Sequence, residues 1–297
     1  MTLNALKKHF VKELGGIYQE GEARSILQIL CEDLLHWTRT DFFIKNRDDL
    51  SSIENGVLLK ALENLKANQP VQHITGIAHF YGHTFKVTPQ TLIPRQETEE
   101  LVDMIITDHK STAPATIIDI GTGTGCIGIS LGLAFAKANS TQSNTQIKTQ
   151  AKTEVTLVDV SSEALEVAKE NAARLDLKKN TNFVELDILK ATELPLSDVI
   201  VSNPPYVREL EKVEIHKNVL EHDPELALFV DDEDPLIFYR KIMELAQPSL
   251  EKGGLLYFEI NQYLSREMEE LAKTLHLNHK LYRDLNGNWR MMKCWID

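Results

Sequence analysis

The chain has 297 residues, 42% of them hydrophobic and 26% charged, and a formal net charge of −12. That is the make-up of a soluble globular protein with core enough for one large domain and a small one. No apolar run nears the roughly 20 residues that span a bilayer, and an acidic surplus disfavours a protein that wraps duplex DNA, whose phosphates select basic surfaces. Cys31, Cys126 and Cys294 are odd in number and far apart, which suggests neither a disulfide framework nor a zinc site. Residues 1–16 mix apolar residues with Lys and His and lack the apolar centre of a secretory signal, so a cytoplasmic protein is expected.

Residues 1–70 read as a helical domain. Leu3, Leu6, Phe10 and Leu14 recur at three- and four-residue spacing, as do Ala23, Ile26, Leu27, Leu30 and Leu34. Leu58, Leu59, Leu62 and Leu65 predict a further helix, with Ser51 or Ser52 as its N-cap. Gly15-Gly16 is a break, and Pro70 ends the bundle. Residues 71–93 form a linker in which the β-rich stretch 80–87, centred on Gly82, predicts a hairpin. A helix then runs to about His109, with Glu97 or Thr98 near its start.

From Thr116 strands and helices alternate. Strands are predicted at 117–120, 155–159, 182–186, 199–201, 255–260, 279–283 and 289–296, with helices from Cys126 and over 162–175, 235–245 and 265–275. This predicts an α/β domain over residues 94–297, with a mostly parallel sheet and an antiparallel final hairpin. Residues 140–153 are Thr/Gln-rich and poor in apolar residues, and read as a surface insertion without a catalytic part.

Between the first strand and its helix lies Asp119-Ile120-Gly121-Thr122-Gly123-Thr124-Gly125. Glycines let the backbone turn tightly and approach a ligand, and the helix start offers free N–H groups. Gly123, Gly125 and Gly128 also satisfy the dinucleotide fingerprint, so the loop alone does not separate a nicotinamide cofactor from S-adenosylmethionine. Asp159 ends the second strand, where a carboxylate can accept ribose hydroxyls; Asp187 ends the third and is placed for an adenine amino group, with Ile188 against the ring. His73, His79 and His83 lack a matching acid or Cys cluster, and no metal site is expected.

The fourth strand ends in Asn203-Pro204-Pro205-Tyr206. Prolines fix φ and remove N–H donors, so the backbone there is rigid and rich in acceptors beside one side-chain amide. Such a loop suits a planar N–H₂ group, gripped through both hydrogens by Asn203 Oδ1 and the Pro204 carbonyl, with Tyr206 packed against its face. With a sulfonium cofactor in the glycine loop, the implied chemistry is methyl transfer to an amide or amino nitrogen.

These motifs, together with Thr91-Leu92-Ile93-Pro94-Arg95-Gln96-Glu97-Thr98-Glu99 and Asp284-Leu285-Asn286-Gly287-Asn288-Trp289-Arg290, resemble the N5-glutamine methyltransferases of the HemK/PrmC type. The linker stretch 69–76 and the stretch 221–228 resemble them as well, so the likeness covers nearly the whole chain. It implies a seven-stranded, Rossmann-like class I methyltransferase domain behind a helical substrate-recognition domain, acting as a monomer. The implied substrate is the glutamine of the Gly-Gly-Gln motif in peptide chain release factors, and the implied cofactor is S-adenosylmethionine. In this likeness Asp119, Gly121, Thr122, Gly123, Thr124, Gly125, Asp159, Asp187, Ile188 and Asn203 hold the cofactor. Asn203, Pro204, Pro205 and Tyr206 hold the substrate, and Asn203, Pro204 and Tyr206 carry the reaction. Where the family usually has Pro and an aromatic residue, this chain has Gln96 and Ile188. Two rival substrates share parts of the pattern: a ribosomal-protein glutamine, and the N6 amino group of adenine in nucleic acid.

Overall fold

A computed structural model of the protein describes residues 1–141, 153–214, 220 and 222–297. The chain divides into two compact units, one built on Met1–Ile77 and the other on Ala78–Glu214 and Asp223–Asp297. The hairpin that the sequence places in a linker belongs, but for Ile77, to the second unit. No helix among the described residues is long and apolar enough to cross a membrane.

In the first unit, α1 (Leu3–Leu14), α2 (Glu20–Leu35) and α4 (Ser52–Lys66) bury the predicted stripes. Leu3, Leu6, Phe10, Leu14, Leu27, Leu30, Leu58 and Leu65 have no exposed surface at all. Ser51 is the N-cap of α4: its hydroxyl accepts from the Glu54 amide while Glu54 accepts from the Ser51 amide, a closed capping box. Two short helices escape the periodicity argument, α3 (Arg39–Ile44) and α5 (Val71–Thr75). Each is too short to show a repeat, although Thr38 and Asp41 form a second capping box at the start of α3. Gly76, at φ 71°, stops α5.

The second unit opens with the hairpin β1 (Ile77–Phe80) and β2 (His83–Lys86). Its two turn residues, Tyr81 and Gly82, both have positive φ, which matches the turn to the twist of the strands. Helix α6 (Gln96–Asp108) follows. Then come β3 (Thr116–Ile120), α7 (Cys126–Thr141), β4 (Glu154–Asp159), α8 (Ser162–Arg174), β5 (Thr181–Glu185) and β6 (Ser197–Ser202). A two-stranded parallel pair, β7 (Val207–Arg208) with β8 (Phe229–Val230), lies outside the main sheet. Strand β9 (Leu250–Glu259) and the strands β10 (Asn278–Arg283) and β11 (Trp289–Trp295) complete the chain.

Seven strands make one sheet in the order β10-β11-β9-β6-β3-β4-β5. All neighbours are parallel except those of β11, which runs antiparallel to both β9 and β10. The final hairpin is therefore antiparallel, as the close spacing of its strands predicts. β9 begins five residues earlier than its apolar run, because Leu250 pairs with Ser197 across an irregularity in register before the main ladder starts at Val199 and Leu255.

Alternate residues of each strand feed opposite faces. Ile117, Val155, Leu157, Val199 and Val201 join a core with Leu101, Val102 and Ile105 of α6 and Ile129 of α7. Ile118, Ile120, Val158, Ile200 and Phe258 join the other, under the helices Ile237–Ser249 and Ser265–Thr274. The chain builds β3, β4 and β5 outward in one direction, then returns to place β6 on the other flank of β3. The C-terminal ends of β3 and β6 thus border the point where strand order reverses, where open α/β sheets bind ligands.

Candidate active site

A cavity of about 300 Å³ opens at this point, wholly within the second unit. Gly121 and Gly123 line it, as do Asp159 at the end of β4, Asp187 and Ile188 beyond β5, and Asn203, Pro204 and Pro205 beyond β6. Asp119, Thr122, Thr124, Gly125 and Tyr206 are not part of its wall.

The glycine loop owes its shape to backbone geometry and to Asp119. Gly121, Gly123 and Gly125 have φ of 70°, 55° and 80°, which side chains rarely adopt. Asp119 is fully buried; its Oδ2 accepts from the Thr122 hydroxyl at 2.7 Å and from the Gly128 amide at 3.0 Å. Burial pushes its pKa up to about 6 against these two hydrogen bonds, and the Asp159 charge adds to the rise. Asp159 accepts the Gly123 amide at 2.9 Å and the Ser161 amide at 3.0 Å, joining the loop to the start of α8. Helix α7 lies close on the sheet, since a Cβ on Gly128 would stand 2.4 Å from Leu157 Cδ2.

At the far side of the cavity, Asp187 pairs with Lys190 Nζ at 2.7 Å, and the hydrogen bond from that lysine is the main reason its pKa is lowered. Ile188 is 8% exposed and packs into the second core. Two further segments close the wall: Gln90, Thr91 and Leu92 before α6, and Pro224, Leu226 and Ala227. Arg95 and Asp223 tie these segments together at 2.6 Å, with the Asp223 side chain 1% exposed. Glu221, part of the stretch that carries the family likeness, lies outside the described residues.

The loop at residues 203–206 stands against the glycine loop: a Cβ built on Gly121 would come 3.9 Å from the Asn203 carbonyl oxygen. The Ser202 hydroxyl donates to the Ile120 carbonyl at 2.7 Å, locking the ends of β6 and β3 together. Asn203 Nδ2 reaches Thr98 Oγ1 at 3.4 Å, and the Thr98 hydroxyl donates to Glu259 Oε2 at 2.6 Å. The Tyr206 hydroxyl donates to the other oxygen, Glu259 Oε1, at 2.9 Å. Burial, followed by the Glu259 charge, pushes the Tyr206 pKa up, so its hydroxyl keeps its proton. The Tyr206 carbonyl accepts from Asn261 Nδ2 at 2.9 Å.

Glu259 and Thr98 join the site through this network. The sequence offers one signal for Glu259: a lone acid at the end of a run, 255–260, that is otherwise apolar or aromatic. Thr98 carries no such mark beyond its place near a helix start. Among the described residues, no group of three His, Cys, Asp or Glu side chains is placed to hold a metal ion.

Comparison with known proteins bears on this geometry. Residues 111–295 match a family model described as a methyltransferase domain, and residues 5–76 match a PrmC N-terminal domain. The chain is 42% identical to the release factor glutamine methyltransferase of Flavobacterium psychrophilum over 99% of both chains. It is 38% identical to the enzyme of the same name from Bacteroides thetaiotaomicron, over 98% of this chain and 99% of that one. Among solved structures, the hMettl16 catalytic domain bound to the MAT2A 3'UTR hairpin 6 shares the fold at 13% identity, with a TM-score of 0.52 over 83% of this chain and 84% of that one.

Proposed function

Since this chain belongs to the release factor glutamine methyltransferases, we propose that the cavity holds S-adenosylmethionine. We further propose that residues 203–206 present to it the side-chain amide of the Gly-Gly-Gln glutamine of a peptide chain release factor. The polar groups of the cavity wall support that cofactor. Two carboxylates stand at successive strand ends, Asp159 for the ribose hydroxyls and Asp187 for the adenine amino group, with Ile188 against the ring. Gly121 and Gly123 bring bare backbone to the wall at positive φ, which side chains rarely adopt. When bound, S-adenosylmethionine supplies a methyl group activated by the sulfonium.

The rest is the work of this chain's residues. An amide nitrogen is a weak nucleophile because its lone pair is delocalised into the carbonyl. Asn203 Oδ1 and the Pro204 carbonyl accept its two hydrogens, which orients the nitrogen toward the cavity and favours the more pyramidal geometry of the transition state. Pro204 and Pro205 have no N–H to compete for those acceptors. Tyr206, anchored on Glu259, bounds the loop. The observation that carries this reading is that Asn203, Pro204 and Pro205 share one cavity wall with Gly121 and Gly123 at the switch point of the sheet.

The test is mass spectrometry of purified release factors after incubation with the enzyme and labelled cofactor. One methyl group on the Gly-Gly-Gln peptide is expected, and an unlabelled peptide would sink the proposal. Asn203→Ala should abolish turnover while cofactor affinity by calorimetry stays near wild type; undiminished methylation by this variant would remove Asn203 from the mechanism.

A further inference from the structure

Behind Asn203 lies a chain of hydrogen bonds with a fixed direction. Glu259 is 1% exposed at the end of β9, and both its oxygens are occupied by hydroxyl donors, Thr98 on one and Tyr206 on the other. Burial raises the Glu259 pKa, while the hydroxyls of Thr98 and Tyr206 and the charge of Arg290 favour the ionised form; as a carboxylate it acts as an acceptor only. The single proton of the Thr98 hydroxyl is therefore spent on Glu259, at the short distance of 2.6 Å. What Thr98 Oγ1 turns toward Asn203 is lone-pair density alone.

That polarity decides which way round the Asn203 amide lies. Its NH₂ end can face Thr98 Oγ1, as at 3.4 Å it does; its oxygen cannot, because two acceptors would then confront each other. The contact is long, so the selection comes from repulsion in the wrong orientation more than from bond strength in the right one. With the nitrogen turned back to Thr98, Oδ1 is left for the cavity, where it can take a hydrogen from an incoming N–H₂ group. The reversed amide would offer hydrogens there instead and suit a carboxylate. The scaffold around Glu259 resists rotation: the Tyr239 hydroxyl donates to its backbone carbonyl at 3.1 Å, and the neighbouring Arg290 is bound to Asp284 at 3.2 Å.

We infer that Glu259, acting through Thr98, is the positioning residue that orients the Asn203 amide and so makes the site select a glutamine side chain over a glutamate. The inference rests on the reading of Asn203 as the group that grips the target amide. A site built to receive an N–H rejects an analogue that lacks it, because its acceptors are then left facing other acceptors.

The experiment compares Thr98→Val, Thr98→Ser and Glu259→Leu in the full-length enzyme. Measured quantities are kcat and KM on a release factor, the dissociation constant of S-adenosylmethionine, and competitive inhibition by a release factor carrying glutamate in place of the target glutamine. Thr98→Val and Glu259→Leu both free the amide to turn over. Each should bind the cofactor as wild type does, lose roughly tenfold or more in kcat/KM, and narrow the preference for glutamine over glutamate by a similar factor. Thr98→Ser keeps the hydroxyl and should restore both. Wild-type discrimination in Thr98→Val overturns the inference, whether or not Glu259→Leu folds. So does a loss in Thr98→Val that Thr98→Ser shares. Activity in Asn203→Ala would instead remove the reading on which this one stands, so the two failures are told apart.

Discussion

A carboxylate with no exposed surface stands behind the glycine loop, and its proton links the loop to pH. Asp119 holds Thr122 and Gly128 through Oδ2, while no described group bonds to Oδ1. Burial lifts its pKa from 3.8 to about 6. The folded state therefore binds this proton more tightly than the unfolded chain does. Its stabilising contribution is complete below the unfolded value and is lost as pH rises through the folded one, a change of about 3 kcal/mol across the window. Asp119→Asn cannot ionise. In urea unfolding of the cofactor-free protein, the variant should gain on wild type by about that amount between pH 4 and 7; a constant difference over the range would refute the assignment. The roles of single residues were unevenly legible in the sequence. Asp119 and Asn203 stand at strand ends beside glycines or prolines, and local pattern is enough to mark them. Glu259 and Thr98 are more than 50 positions from Asn203, and only the pairing of β6 with β9 and the packing of α6 bring them together.

The segments that wall the cavity come from outside the sheet, and one ion pair couples them. Gln90, Thr91 and Leu92 approach from before α6, and Pro224, Leu226 and Ala227 from the far side of β6, with Arg95 and Asp223 joined at 2.6 Å. Arg95 is 36% exposed, which weakens its share, but Asp223 is buried and would lose this ion pair. Arg95→Ala should destabilise the protein by about 1–3 kcal/mol and weaken cofactor binding more than it changes kcat. Thermal melting and calorimetry check both parts; unchanged cofactor affinity would show that the wall holds without the pair. Strands and long helices were readable from period and propensity. The helix Glu225–Leu228 and the pair β7–β8 were not, since four residues and two residues are too few to establish any period.

At the scale of the molecule, topology does what no single motif does. Running β3, β4 and β5 one way and β6 the other places the glycine loop next to the loop at residues 203–206, about 80 residues downstream in the sequence. The sequence predicts both loops and the alternation of strands and helices; it is silent on strand order, which follows from handedness and packing rather than from local preference. Among the described residues three hydrophobic cores result, one in the helical unit and one on each face of the sheet. Each contains one of the three cysteines of the chain: Cys31 in the first unit, Cys126 on one face and Cys294 on the other. Burial pushes all three thiols up to about 12, so each stays protonated and slow to alkylate while its core is closed. The protein thus carries an internal chemical clock in every core. Native-state alkylation read by peptide mass should tag Cys126 and Cys294 in step, as one cooperative sheet opens, and Cys31 on its own schedule. Equal rates at all three sites would mean that the two units open as one.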